Sequence, residues 1–334
     1  MISLLVVNYR SAPLAIEAIR SARAATTQAL QVVVVDNSSE GDALRPHAEV
    51  VVASATNRGY AGGINDGRAH CRGDIIVAAN PDVIFDAGSI DALAAALQHA
   101  AVAGPALFWD DAHRWLLPPS DLHTSWQKVD EVLASRSRAW MRTRDRRRFR
   151  SRVAFWSLQQ TTAVPALSGA VMAFHAGAPS FDERFPLYFE ETDFLRRVDG
   201  PVVYVPTARV RHLYNQSAGQ VSQDAAARYA QSEMRYLEKW NGPFVARTLK
   251  SLERPPLAFE FEPVDGPVTI DGDGLVIEAS PLANFATAAG CFDSNVIDLP
   301  PDVLSSWRGE TIYFRAVERG SGRVAGTWAR RIRP

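Results

Sequence analysis

The chain has 334 residues, 47% of them hydrophobic and 22% charged, with 36 Lys and Arg against 37 Asp and Glu. That length supports a full hydrophobic core in about two domains, and the ordinary composition excludes disordered, collagen-like and coiled-coil proteins. Two cysteines far apart, Cys71 and Cys291, make neither a disulfide framework nor a zinc cluster, which favours a cytoplasmic location.

The opening run MISLLVVNYR has no basic region ahead of its apolar stretch and reads as a strand, not a signal peptide. Val- and Ile-rich runs at residues 2–7, 32–35, 50–52 and 75–77 predict strands covered on both faces. Helical patterns at 13–25, 62–71 and 89–101 lie between and after them. Strand–helix alternation of this kind predicts a mostly parallel, doubly wound sheet. The longest apolar stretch, 90–108, is interrupted by Asp91, Gln98, His99 and Pro105 and is too broken to span a membrane.

Residues 110–160 depart from this pattern as a Trp- and Arg-rich insert, with nine Arg and one Asp between 136 and 152. Three readings of that run stay open: a solvated helix face, a patch for anionic lipid or lipid-pyrophosphate acceptors, and a nucleic-acid surface. The last is the weakest, because the whole chain is nearly neutral and has no nucleic-acid motif. Strands follow at 167–174, 202–205 and 209–213, with a polar helix start near Glu190 and a helix over 223–240 that ends at Asn241-Gly242-Pro243. Arg254-Pro255-Pro256 reads as a linker, and the turn-rich remainder predicts a small β-sandwich-like domain over 254–334 behind a main domain over 1–253.

The predicted strands end in polar residues: Asn8 and Tyr9, Asp36-Asn37, Asn57, and Asn80-Pro81-Asp82. Any one of them could be simple capping, but four on one edge of an open sheet predict a ligand crevice. The glycines of Asn57-Arg58-Gly59-Tyr60-Ala61-Gly62-Gly63-Ile64-Asn65 fall at a helix entry, where backbone N–H groups can approach phosphate or sugar. No GxGxxG follows the first strand and no GxxxxGK[ST] is present, which argues against dinucleotide-binding and P-loop proteins. Glu190-Glu191-x-Asp193 can be read as helix capping, or as a partly desolvated general base behind the aromatic run 185–189.

Val7-Asn8-Tyr9, Val35-Asp36-Asn37-Ser38-Ser39, the 57–65 segment and Asn80-Pro81-Asp82 resemble, in order, the motifs of family 2 glycosyltransferases, nearest a bacterial rhamnosyltransferase-like branch. Ser168-Gly169-Ala170, the 181–193 segment and His212 with Ser217 extend the resemblance to about residue 242. It implies a GT-A fold: a Rossmann-like α/β sheet with helices on both faces. It also implies inverting transfer of a sugar from a nucleotide-diphosphate donor, such as dTDP-rhamnose or a UDP-sugar, to a glycan or lipid-linked acceptor in cell-surface polysaccharide synthesis. On these positions Asn8, Tyr9, Asp36, Asn57, Gly62, Gly63, Asn65 and Asn80 would line the donor site. Gly169, Ala170, Glu190 and Asp193 would face the acceptor, and Glu191 would be the base. Asp82 and His212 would hold a divalent cation, Mg²⁺ or Mn²⁺, although Asn80 replaces the first carboxylate of the usual Asp-x-Asp. A peripheral place on the inner face of a membrane, through 136–152, would fit such an enzyme. The rival readings are a sugar nucleotidyltransferase and a non-catalytic sugar-binding protein.

Overall fold

The computed structural model describes residues 1–213, 223–307 and 309–332. The first half runs β1 (Ile2–Asn8), α1 (Ala12–Ala24), β2 (Leu30–Asp36), α2 (Gly41–Leu44), β3 (Val50–Ala53), α3 (Gly59–Arg68), β4 (Ile75–Ala79), β5 (Val83–Phe85), α4 (Ser89–Ala96), β6 (Val102–Phe108) and β7 (Trp115–Leu116). The insert forms α5 (Ser125–Ala134) and α6 (Arg138–Trp156). Then come β8 (Thr162–Ala163), β9 (Val171–His175), α7 (Glu190–Arg197), β10 (Val202–His212), α8 (Gln223–Asn241) and α9 (Pro243–Ser251). The last part holds β11 (Glu262–Pro263), β12 (Val268–Thr269), β13 (Leu275–Ser280), β14 (Ala289–Phe292), β15 (Val296–Ile297), α10 (Pro301–Ser306), β16 (Thr311–Glu318) and β17 (Val324–Arg331).

The central strands lie in the order β3-β2-β1-β4-β9-β6-β10. Pairing is parallel across β3, β2, β1 and β4, antiparallel on both sides of β9, and parallel again between β6 and β10. Every residue of β1 is buried. Leu4 and Val6 join one core with α1 and α4, while Leu5 and Val7 join a second core with α3 and α7. A continuous apolar strand is what two covered faces require. This is the mixed α/β architecture, with a large central sheet and helices on both faces, that the sequence predicts. Among the described residues no helix is long and apolar enough to cross a membrane.

Two local expectations change. The strands predicted at 202–205 and 209–213 are one strand, β10, whose pairing with β6 shifts register between Val205 and Arg209. Pro206 stands in that interval and lacks an N–H for the ladder, so the chain bulges there and resumes. Helix α3 starts at Gly59 rather than near 62. Gly59 has φ +74°, and a Cβ there would lie 2.1 Å from the Pro186 carbonyl oxygen, so a side chain at this entry would be excluded.

The C-terminal strands do not stand apart as a sandwich. They run β11-β17-β16-β13-β14, and β14 pairs with β7, which pairs with β6, so the central sheet continues into them. Trp109, Trp115 and Leu117 of the first half share one core with Ile277, Phe314, Trp307 and Trp328. Helix α6 lies against the same strands, with Phe149 and Trp156 packed on Val276 and Val317. A Cβ on Gly290 would come within 2.3 Å of the Trp156 ring, so the bare backbone of β14 is the seat for that indole.

The Arg-rich run has a structural use that its composition did not reveal. Arg152 and Arg315 sandwich the fully buried Glu278, at 2.6 Å each, and Arg315 also meets Asp145 at 2.7 Å. Arg144 and Arg147 converge on Asp130 of α5. The insert is therefore clamped on one side to its own first helix and on the other to the C-terminal sheet.

Candidate active site

The carboxyl ends of β1, β2 and β4 lie side by side, because Asn8 is in register with Asp36 and Val6 with Ala79. Asn8 is buried, and its Nδ2 donates to Asp36 Oδ1 and Glu40 Oε2 at 3.0 Å and to Ser38 Oγ at 3.2 Å. Asp36 also accepts from the backbone N–H of Ser38 at 3.0 Å and of Glu40 at 2.6 Å. Burial pushes the Asp36 carboxyl up, but hydrogen bonds from Asn8, Ser38 and Glu40 outweigh it and hold the group below its ordinary value. Asn8 and the Asp36 carboxylate thus form a fixed hydrogen-bonded pair that shapes the 37–40 turn at this edge. Tyr9 beside them is 48% exposed, with the Arg10 guanidinium 5.2 Å from its ring.

The glycine-rich segment is used differently from the expectation. Gly62 and Gly63 are buried, and a Cβ on either would meet Arg58 at 2.8 Å or Val7 at 2.7 Å. Their bareness lets α3 close on its own first turn and on β1. Asn65 does not face the crevice: its Nδ2 donates to the Phe181 carbonyl at 2.9 Å and to Glu183 at 3.0 Å, while its Oδ1 accepts from the Phe181 N–H at 2.9 Å. It braces the loop that leads to the acidic motif. Asn57 is exposed and accepts from the Gly59 N–H at 2.8 Å, closing the turn into α3.

At the end of β4 two distant motifs meet. The Asn80 N–H donates to the Ala170 carbonyl at 2.8 Å, joining the Asn80-Pro81-Asp82 turn to the Gly169-Ala170 turn. The β5–β10 pairing sets Val83 opposite His212, and the Leu213 N–H donates to the Asp82 carbonyl at 2.9 Å. Asp82 Oδ1 and His212 Nε2 are consequently 3.3 Å apart, each side chain 12% exposed. The expected metal-holding pair is brought together. Among the described residues no third His, Cys, Asp or Glu completes a cation site with them. Ser217 lies outside the described residues.

The acidic motif opens α7. Tyr188 and Phe189 both have positive φ, +67° and +69°, a conformation that costs free energy in non-glycine residues and collects at functional sites. It turns Glu190 and Glu191 inward. Glu190 is 6% exposed, and its Oε2 has no hydrogen-bond partner among the described residues. Burial and the adjacent Glu191 charge push Glu190 well above the ordinary carboxyl value. Burial also raises Glu191, against the opposing pull of its backbone N–H and of His123. A Cβ on Gly169 would touch Glu191 at 3.3 Å, so the small residue before Ala170 is what lets the carboxylate approach the Asn80 turn.

Asp193 is not on an open acceptor face. It is fully buried and accepts from Arg197 at 2.8 Å, Lys239 at 2.5 Å and the Trp240 indole at 3.0 Å. These bonds lock α7 to α8. Sequence reasoning missed Tyr60, whose hydroxyl donates to the Gly169 carbonyl at 3.0 Å, and whose phenol is raised far above its usual value by burial and the two glutamates. It missed His123 too, 4.8 Å from the Phe189 ring. Tyr60 sits inside a flagged motif and could have been found; His123 carries no such signal.

No curated protein matches the chain. Among solved structures, its fold is similar to GalNAc-T7 with UDP, GalNAc and Mn²⁺ at 13% identity, 72% of this chain, 48% of that one and TM-score 0.47. The chain thus spans about half the length of GalNAc-T7. It is also similar to residues 1–349 of S. aureus TarS at 13% identity, 72% of each chain and TM-score 0.40. A third likeness is to the mannosyltransferase PcManGT from Pyrobaculum calidifontis in complex with GDP-Man and Mn²⁺, at 16% identity, 75% of this chain, 73% of that one and TM-score 0.40. Residues 3–157 match the family model Glycosyl transferase family 2, a span that includes Asn8, Asp36, Asn80 and Asp82.

Proposed function

We propose that the chain is an inverting glycosyltransferase that moves a sugar from a nucleoside diphosphate to an acceptor hydroxyl, with Glu191 as the base. The observation that carries this is one continuous line of contacts across the strand ends. The Glu191 side chain lies beside Gly169, where an added Cβ would meet it at 3.3 Å, Ala170 receives the Asn80 N–H, and Asp82 two residues on reaches His212. A proton acceptor and a potential diphosphate anchor therefore flank one turn.

In this reading Asn8 and Asp36 shape the nucleoside end and Tyr9 offers an exposed ring beside it. A carboxylate and an imidazole side by side suit a divalent cation, Mg²⁺ or Mn²⁺, whose remaining ligands the donor diphosphate and water supply. The cation would neutralise charge on the departing diphosphate. The acceptor oxygen bonds to the anomeric carbon from the side opposite the diphosphate, whose C–O bond breaks, and the hydroxyl proton passes to Glu191. Burial and its paired glutamate keep that carboxyl basic enough for the transfer. The resemblance favours dTDP-rhamnose or a UDP-sugar as donor and a glycan or lipid-linked acceptor. Arg138, Arg142 and Arg146 form an exposed row on α6 with no carboxylate partner among the described residues, and this row is the surface we assign to peripheral contact with an anionic membrane.

Incubating the purified chain with nucleotide sugars and Mn²⁺ tests the reading through the product released. A transferase gives the nucleoside diphosphate, a nucleotidyltransferase exchanges pyrophosphate, and a binding protein gives neither. Glu191→Gln should keep donor affinity and lower kcat by about 10² to 10⁴. Near-normal kcat would remove Glu191 from the chemistry.

A further inference from the structure

A cavity of about 670 Å³ lies between α5, α6, α8, the 253–257 segment and the 282–286 turn of the C-terminal sheet. Its carboxylates are already matched. Glu131 meets Arg144 and Lys128, Glu233 and Glu253 meet Lys128 and Lys250, and Asp145 meets Arg315. Lys128, Lys250 and Arg144 are matched with them, but Arg148 is not. Arg144, Arg148 and Arg152 follow at four-residue spacing on α6, which stacks three guanidinium groups on one helix face.

Arg144 is answered by Asp130 and Glu131, and one edge of Arg152 by Glu278. Arg148 donates to the Ala286 carbonyl at 2.9 Å, and its nearest carboxylate, Asp121, is 4.0 Å away. Arg152 is 4% exposed, and its Nη2 has no hydrogen-bond partner among the described residues. Burial, then the charges of Arg144 and Arg152, make protonated Arg148 less favourable than an ordinary arginine. Two under-paired guanidinium groups on a half-enclosed wall are costly until an anion arrives, and their forked donors suit a phosphate. The wall also carries the aromatic residues Tyr229, Phe259 and Phe285. Tyr229 packs 5.2 Å from Phe189 and 5.5 Å from Tyr188, the residues that turn into Glu190 and Glu191.

We propose that this cavity is an acceptor subsite in which Arg148 grips a phosphate group carried by the acceptor, with the buried charge of Arg152 behind it. It rests on the glycosyltransferase reading and adds the chemical class of the acceptor. Tyr229 forms the shared wall between the phosphate and the proposed base.

Titration calorimetry on the full chain, with dodecyl phosphate and glucose 6-phosphate as probes and dodecyl maltoside and glucose as neutral controls, tests it. At least one phosphate should bind where its neutral control does not. Arg148→Gln should weaken that binding by roughly 10-fold or more, the scale of a lost charge-assisted contact. Arg148→Lys should recover part of it. Tighter binding of the alkyl phosphate assigns the group to a lipid carrier, and of the sugar phosphate to a phosphorylated glycan. Without ligand, Arg148→Gln should melt no lower than the parent chain, because it removes a repelling cation. Equal phosphate affinity in parent and variant, or equal binding of neutral controls, overturns the proposal. Phosphate binding that depends on Arg148 in a chain that never turns over a nucleotide sugar would instead refute the transferase reading alone.

Discussion

Ending the chain at Arg254 removes β11 to β17 and should leave a remainder that does not fold to a soluble monomer. The loss uncovers Trp109 and Phe149, each 1% exposed, together with Trp115, Leu117 and Trp156. Re-exposing a large buried apolar side chain costs about 1.5 to 3 kcal/mol, so five of them cost about 10 kcal/mol. That equals the entire stability of an ordinary domain, about 5 to 15 kcal/mol. Two further losses act in the same direction. Strand β7 loses its partner β14, and Trp156 loses the Gly290 backbone it sits on. Arg152 loses Glu278 but regains water, so that ion pair contributes little to the balance. Soluble yield, hydrophobic-dye binding and thermal melting of residues 1–254 against the full chain measure the effect. A soluble fragment with a cooperative melt within a few degrees of the full chain would refute the claim that one core spans both segments.

Glu190→Gln tests the buried pair through stability. A carboxyl whose folded pKa is raised binds its proton more tightly when folded, so stability falls as pH rises from the unfolded pKa, about 4.3, through the folded value. Melting of the parent should therefore decline between pH 5 and pH 8 more steeply than that of the variant, and a parallel decline would contradict the assignment. Asp193→Asn leaves Arg197 without its carboxylate and Lys239 with Asp182 alone, and should cost about 1 to 3 kcal/mol in urea unfolding; full stability with lost turnover would instead place Asp193 in the chemistry. Asp82→Ala should abolish metal-dependent binding of nucleoside diphosphates, read by calorimetry with and without Mn²⁺, and unchanged binding would move the cation elsewhere.

What was legible in the sequence was what adjacent residues determine. Continuous runs such as Ile2–Asn8 specify strands buried on both faces, and the polar residues that end them specify the edge where ligands meet the sheet. The family resemblance pairs Asp82 with His212, and the antiparallel pairing of β5 with β10 supplies the reason. The illegible part is long-range and compositional. Nine arginines in seventeen residues look like a surface, yet three of them, Arg144, Arg147 and Arg152, are held by carboxylates on α5 and β13. No local pattern marks Glu278 as the acid that Arg152 and Arg315 will share. Glycine misleads for a related reason: Gly62 and Gly63 look like a phosphate loop, but the space they free is filled by Arg58 and Val7.

The two inward glutamates can divide one task between them. Both are raised by burial, and each opposes ionisation of the other, so the pair gives up its protons in two separate steps. Their environments differ: Glu190 has an oxygen with no hydrogen-bond partner among the described residues, whereas Glu191 has His123 and nearby backbone N–H groups drawing it down against the burial that raises it. Environments that push two carboxyl values apart are the usual means by which one site holds an acid and a base at the same pH. Gly169 contributes by being small: a Cβ there would press on the Glu191 side chain at 3.3 Å, beside the turn that Asn80 joins to Asp82.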